Sequence, residues 1–163
     1  MGVYVTTVAF KDGILASDSL MTWVTEGGGG TKYKAPKIFR RNADLSGITS
    51  GSEPVLFGFA GETYAEANFL KWVWQGCQVD GPIYEALLEA RNDLDVICVT
   101  KREALVLDGA GAIVIKDAPF LAIGSGRNCA LAAMEAGCSA ERAVEIACKY
   151  DPCSDFPVVA EKL

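Results

Sequence analysis

The sequence predicts an α+β fold of four layers, αββα: two stacked, mainly antiparallel sheets with a helix pair outside each. Three observations predict it. Short runs rich in β-branched and aromatic residues fill the opening third, and helical spacing takes over after Glu62. Strand-like runs then return from Leu94, and a second helical stretch follows from Asn128. Strand and helix do not alternate strictly, which disfavours a doubly wound parallel sheet, whereas two sheets backed by helices bury every apolar face in the pattern. Finally, 163 residues, half of them apolar, are enough for one domain (1–163) with a substantial core.

Element by element, Val3 to Phe10 reads as a strand, Lys11-Asp12-Gly13 as a tight turn, and Ile14 to Ser19 as the returning strand. Gly27 to Gly30 have no side chains with which to pack and read as a hairpin tip. Strands are expected over Pro36 to Arg41 and Val55 to Ala60, separated by a polar loop, Asn42 to Pro54. Ala65, Phe69, Trp72 and Val73 recur at helical spacing through Gly76, and a shorter helix fits Pro82 to Arg91 with its proline in the first turn. Four short strands follow: Leu94 to Thr100, Ala104 to Asp108, Ala112 to Lys116 and Phe120 to Ile123. Helices then fit Asn128 to Ala136 and Ala140 to Lys149, the second capped by Ser139, and a strand over Pro157 to Glu161 closes the chain. Trp72 and Trp74 cannot both face a core from one helix, which points to a subunit contact.

Composition removes whole classes of function. A net charge of -6 argues against nucleic acid and anionic membrane as partners, because both are bound through clustered Lys and Arg. The local run Lys32, Lys34, Lys37, Arg40 and Arg41 fits a solvated strand edge. No apolar stretch is long enough to cross a bilayer and no signal peptide opens the chain, so a cytoplasmic protein is expected. The chain contains no histidine, which excludes Ser-His-Asp and Cys-His catalysis and histidine-bearing zinc sites. Six cysteines without a CxxC pair read as reduced, mostly buried small hydrophobes. Gly124-Ser125-Gly126 lacks the Lys-Ser/Thr ending of a phosphate loop, and no metal or other cofactor is expected.

A hydrolase without histidine needs another base, and a threonine at a free chain end carries one, its own α-amine. With an unperturbed pKa of about 7.7 to 8, that amine is partly neutral at physiological pH and can take the hydroxyl proton. A neighbouring lysine cation lowers the amine pKa further, a carboxylate holds the lysine, and backbone N–H groups receive the oxyanion. Such chemistry asks for an early Thr, then an Asp, a Lys and a glycine turn.

The residues themselves resemble a family. Thr6-Thr7-Val8-Ala9-Phe10 with Asp12-Gly13 and Ala16-Ser17-Asp18-Ser19 resembles the opening hairpin of proteasome β subunits and of HslV. Four further blocks occur in the same order: Pro36-Lys37-Ile38-Phe39-Arg40, Gly58-Phe59-Ala60-Gly61, Ala122-Ile123-Gly124-Ser125-Gly126 and Asp151-Pro152-Cys153-Ser154. The compact hairpin and the Lys149-Tyr150-Asp151-Pro152 ending look most like the short members encoded by bacteriophages and prophages. The resemblance implies an N-terminal-nucleophile (Ntn) hydrolase, with Thr6 as nucleophile, Asp18 as the acid that orients the lysine, and Lys37 as the lysine that tunes the amine. It further implies Gly61 as the oxyanion-facing N–H, and Ser125, Asp151 and Ser154 as the group around the threonine amine. Like subunits in a ring-shaped homo-oligomer, an ATP-dependent unfoldase, and peptide or unfolded protein as substrate are the partners it implies.

Two departures qualify the resemblance. Asp18 follows Thr6 by only twelve positions, a shorter hairpin than the familiar members have. Side chains alternate along a strand, so the loss of an even number of residues from each arm keeps both facing the same way. The other departure is a leader, Met1 to Val5, ahead of Thr6. While Val5 is attached, the Thr6 nitrogen is an amide and no base, and β-branched Val5 crowds the attack that would release it. A non-catalytic protein of the same fold with an assembly or structural role, and a small-molecule amidase, are the alternatives to a threonine peptidase.

Overall fold

The computed structural model describes residues 2–4, 6–25, 27–44 and 52–163. The strands are β1 (Gly2–Tyr4), β2 (Thr7–Lys11), β3 (Ile14–Ser17), β4 (Leu20–Val24), β5 (Gly30–Lys34), β6 (Ile38–Asp44) and β7 (Ser52–Glu62). Helices α1 (Thr63–Trp74) and α2 (Gly81–Glu89) precede β8 (Leu94–Val99), β9 (Ala104–Asp108), β10 (Ile113–Ile115) and β11 (Phe120–Gly124). The chain ends with α3 (Arg127–Glu135), α4 (Ala140–Tyr150) and β12 (Val159–Lys162).

Two sheets form, and every pairing among the described residues is antiparallel. One has the order β10-β9-β8-β7-β1-β4-β5, with β6 also paired to β7; the other has the order β11-β2-β3-β12. On the first sheet, alternate residues of β7 face opposite layers. Val55, Phe57 and Phe59 pack outward against Phe69 and Trp72 of α1 and Leu87 of α2. Their ring centroids lie 5.4–6.1 Å apart, edge-on or offset, and each fully buried phenylalanine contributes about 1.5 to 3 kcal/mol. Leu56 and Ala60 face the other way, into the layer between the sheets with Val8, Leu15 and Ile97. The third layer joins the second sheet to α3 and α4 through small residues, Ala9, Ala16, Ala122, Ala130 and Ala143, which let the helices sit close. The four-layer expectation therefore holds, with Ser139 accepting a hydrogen bond from the Arg142 N–H at the start of α4.

Some elements differ from the sequence reading. The opening strand is two strands, because the chain leaves one sheet after Tyr4 and enters the other at Thr7, with Thr6 at the crossing. Leu20–Val24 and Gly30–Lys34 pair as a hairpin around the glycine run, where only the tip was expected. The loop placed at Asn42 to Pro54 is shorter, since Asn42 pairs with Pro54 and Ala43 with Glu53; positions 45–51 lie outside the described residues. All six cysteines are free, yet only Cys77 and Cys98 are buried. Trp72 is 3% exposed and donates from Nε1 to the Gln78 carbonyl, whereas Trp74 is 82% exposed, so the helix separates the pair as its geometry requires. Among the described residues no helix is long and apolar enough to cross a membrane.

Candidate active site

The crossing at Thr6 brings three side chains from separate elements together. β7 is lined by β8 along one edge. Its other edge is shared end to end by β6, opposite Ser52–Gly58, and β1, opposite Gly61–Glu62. Lys37 immediately precedes β6, and its carbonyl accepts from the Phe59 N–H. Thr6 lies just beyond β1, and the two residues therefore meet where those strands adjoin. Asp18 arrives from the end of β3, its N–H donating to the Thr7 carbonyl at 3.1 Å.

Thr6 and Asp18 are fully buried and Lys37 is 1% exposed. The Thr6 hydroxyl donates to Asp18 Oδ1 and accepts from Lys37 Nζ. Lys37 Nζ also lies 2.8 Å from Asp18 Oδ1. The carboxylate is held by three backbone donors besides: the Thr7 N–H at 3.1 Å on Oδ1, and the N–H groups of Leu20 and Asp155, both at 3.0 Å, on Oδ2. A buried charge needs this kind of saturation, since each unmatched lone pair is stranded in a low dielectric. Burial draws the Lys37 pKa below its ordinary value, and the opposing effect of Asp18 does not cancel it.

A second set of hydroxyls backs the first. The Ser125 hydroxyl lies 2.6 Å from Asp151 Oδ2 and 3.4 Å from the Thr6 carbonyl oxygen. Ser154 donates to Asp151 Oδ2 at 2.5 Å, so its oxygen accepts from the Thr7 hydroxyl at 2.7 Å. Ser125, Asp151 and Ser154 thus form one group that touches the Thr6 carbonyl and the Thr7 hydroxyl from the α3 and α4 side.

Two glycines are fixed by space as well as by conformation. Gly124 has φ +89°, and a Cβ there would lie 2.0 Å from the Thr6 carbonyl oxygen. Gly61, at φ +140°, would put a Cβ 2.1 Å from the Asp93 carbonyl oxygen. Gly61 stands opposite Tyr4 in register, so its backbone borders the strand that leads to Thr6.

Scans against protein-family models and curated proteins return no match. Solved structures do match over the full length. HslV from Trypanosoma brucei superposes with a TM-score of 0.61 at 22% identity, covering 99% of this chain and 98% of that one. The chain has an HslV-type fold. The BPH of Thiobacillus denitrificans matches at TM-score 0.63 and 20% identity, covering 100% and 97% of the two chains. Anbu from Yersinia bercovieri gives 0.64 at 13% identity, covering 95% and 79%.

Within this HslV-type frame, sequence reasoning missed the part played by Thr7, which bonds to both Asp18 and Ser154. It also missed Gly126, where a Cβ would lie 1.9 Å from Thr7 Oγ1. The available signal was the pair of glycines flanking Ser125, since two such residues beside one polar side chain imply a close backbone approach. Val5 and Met1, on which the leader reading partly turns, lie outside the described residues.

Proposed function

We propose that this protein is a threonine peptidase that cleaves peptide bonds with Thr6 as N-terminal nucleophile once its leader is removed. The observation that carries the reading is the buried contact of Thr6, Asp18 and Lys37. In the processed chain the free amine of Thr6 takes the hydroxyl proton while Oγ1 attacks the substrate carbonyl carbon. The C–N bond then breaks, the proton passes to the departing amine, and the resulting ester is hydrolysed by water. Lys37, held by Asp18, lies close enough to lower the amine pKa, and the backbone at Gly61 is the candidate oxyanion donor. Ser125, Asp151 and Ser154 would steady the amine and relay its proton. Before processing, β1 fills the strand position beside Thr6, so leader removal both frees the base and vacates that position between β4 and β7.

The same proposal includes assembly of like subunits into a ring, an ATP-dependent unfoldase as supplier of unfolded chains, and a cytoplasmic location. Fluorogenic peptides test the chemistry: turnover by the processed protein that disappears in Thr6→Ala and falls steeply in Lys37→Ala supports it, and turnover that survives Thr6→Ala overturns it. A non-catalytic assembly role is the second reading, favoured by the presence of the β-branched Val5 directly ahead of Thr6. Persistence of the leader with no hydrolysis would establish that reading instead.

A further inference from the structure

The leader marks where an extended chain lies beside Thr6. β1 occupies a lane between β4 and β7: Val3 stands opposite Thr22 on one side and Glu62 on the other, and Tyr4 stands opposite Gly61. Thr6 Oγ1 can attack only a carbonyl seated where that of residue 5 belongs. The residues N-terminal to any bond it cleaves therefore follow this lane, and the third residue before the bond takes the register position of Val3. Residues directly opposite each other in an antiparallel sheet project to one face. A substrate side chain at that position stands between those of Thr22 and Glu62, with exposed Lys32 one strand further out beyond Thr22.

Glu62 is half-buried, and its Oε2 is shielded from solvent with no hydrogen-bond partner among the described residues. Its neighbour across the strand end is another acid: the Glu62 N–H donates to the Asp93 carbonyl at 2.8 Å, and the Asp93 carboxylate accepts from the Tyr64 hydroxyl. Burial, and then Asp93, push the Glu62 carboxyl above its usual range. The N-terminal ammonium at the head of the leader draws it the other way, and Glu62 stands directly opposite the lane's third position in register.

Resting on the peptidase reading, we propose that Glu62 is a specificity-determining residue that selects Lys or Arg as the third residue N-terminal to the cleaved bond, the cation donating to the unpartnered Oε2. Such a charge-assisted hydrogen bond is worth on the order of tenfold.

Two experiments separate this inference from the reading beneath it. In the full-length Thr6→Ala chain, which retains its leader, backbone amide exchange at residues 2–4 is compared between Val3→Lys and Val3→Glu after correction for intrinsic rates. About tenfold slower exchange in Val3→Lys is expected, with the difference erased by Glu62→Gln; equal rates, or a difference that survives Glu62→Gln, overturn the inference. With the processed enzyme, two fluorogenic peptides differing only by Lys or Glu at the third residue should differ at least tenfold in kcat/KM, again in a Glu62-dependent way. Equal cleavage overturns the specificity and leaves the peptidase standing. If neither peptide is cleaved, the peptidase reading fails, and the exchange experiment still decides what Glu62 binds.

Discussion

The two partners of the buried ion pair should differ greatly in what their loss costs. Asp18 accepts from five donors: the Thr6 hydroxyl, Lys37 Nζ and the N–H groups of Thr7, Leu20 and Asp155. Asp18→Ala strands two buried backbone donors, the N–H groups of Thr7 and Leu20, at about 1 to 3 kcal/mol each, and leaves the part-buried Asp155 N–H to water. It also leaves the Lys37 cation uncompensated, worth about 3 to 5 kcal/mol unless the lysine loses its proton. Even the low end, about 5 kcal/mol, approaches the whole stability of a typical domain, about 5 to 15 kcal/mol. Lys37→Met instead removes one donor of five, fills the vacated stem volume and leaves a carboxylate with four hydrogen bonds, for about 1 to 3 kcal/mol. Urea unfolding at pH 7, read from midpoints at constant m-value, should therefore place Asp18→Ala at least ~2 kcal/mol below Lys37→Met, or find it unfolded. Equal losses, or an Asp18→Ala loss under ~2 kcal/mol, would show that the carboxylate does not anchor the crossing.

Other consequences are simpler to read. Gly124→Ala forces a Cβ to within 2.0 Å of the Thr6 carbonyl oxygen at a left-handed φ, so it should abolish turnover and cost several kcal/mol in the same unfolding assay. Burial lowers the Lys37 pKa in the fold, so between that lowered value and the ordinary 10.5 the unfolded chain holds more protons than the native one. Wild-type stability should accordingly rise with pH relative to Lys37→Met across that window, and the gain should vanish as pH falls through the folded value; a difference that stays flat with pH contradicts the direction of the shift. Burial pushes the Cys98 thiol up to about 12, so iodoacetamide at pH 8 should leave Cys98 unlabelled in the native protein and label it only after unfolding, as peptide mass mapping would register.

The layers were legible because period and sidedness are written in the residues. Val55, Phe57 and Phe59 alternate with Leu56 and Ala60, and Phe69 and Trp72 share a helix face, so the sequence carried the placement of α1 against β7. The break at Thr6 was not legible. Residues from Val3 to Phe10 all suit a strand, and propensity cannot tell one long strand from two that lie in different sheets. The β4–β5 hairpin escaped for a related reason, since every residue of β5 is exposed and so leaves no apolar imprint. Thr6, Asp18 and Lys37 were found through motif blocks and chemistry, although Lys37 also sat in a basic run that reads as solvated. Its burial depends on the junction of β6 with β1, a tertiary feature absent from local sequence. Gly124 and Gly126 read as the start of a helix because nothing near them in sequence announces that Thr6 and Thr7 will pass so close.

The central claim is that Thr6 works as a free N-terminal residue, and intact-mass analysis of the purified protein, run beside peptide turnover on the same samples, tests it most directly. The account predicts that activity appears in step with the species that begins at Thr6, and that the Thr6→Ala chain keeps its leader and shows no turnover. Hydrolysis by a chain still carrying Val5, or a fully processed chain with no activity on any peptide, would contradict it.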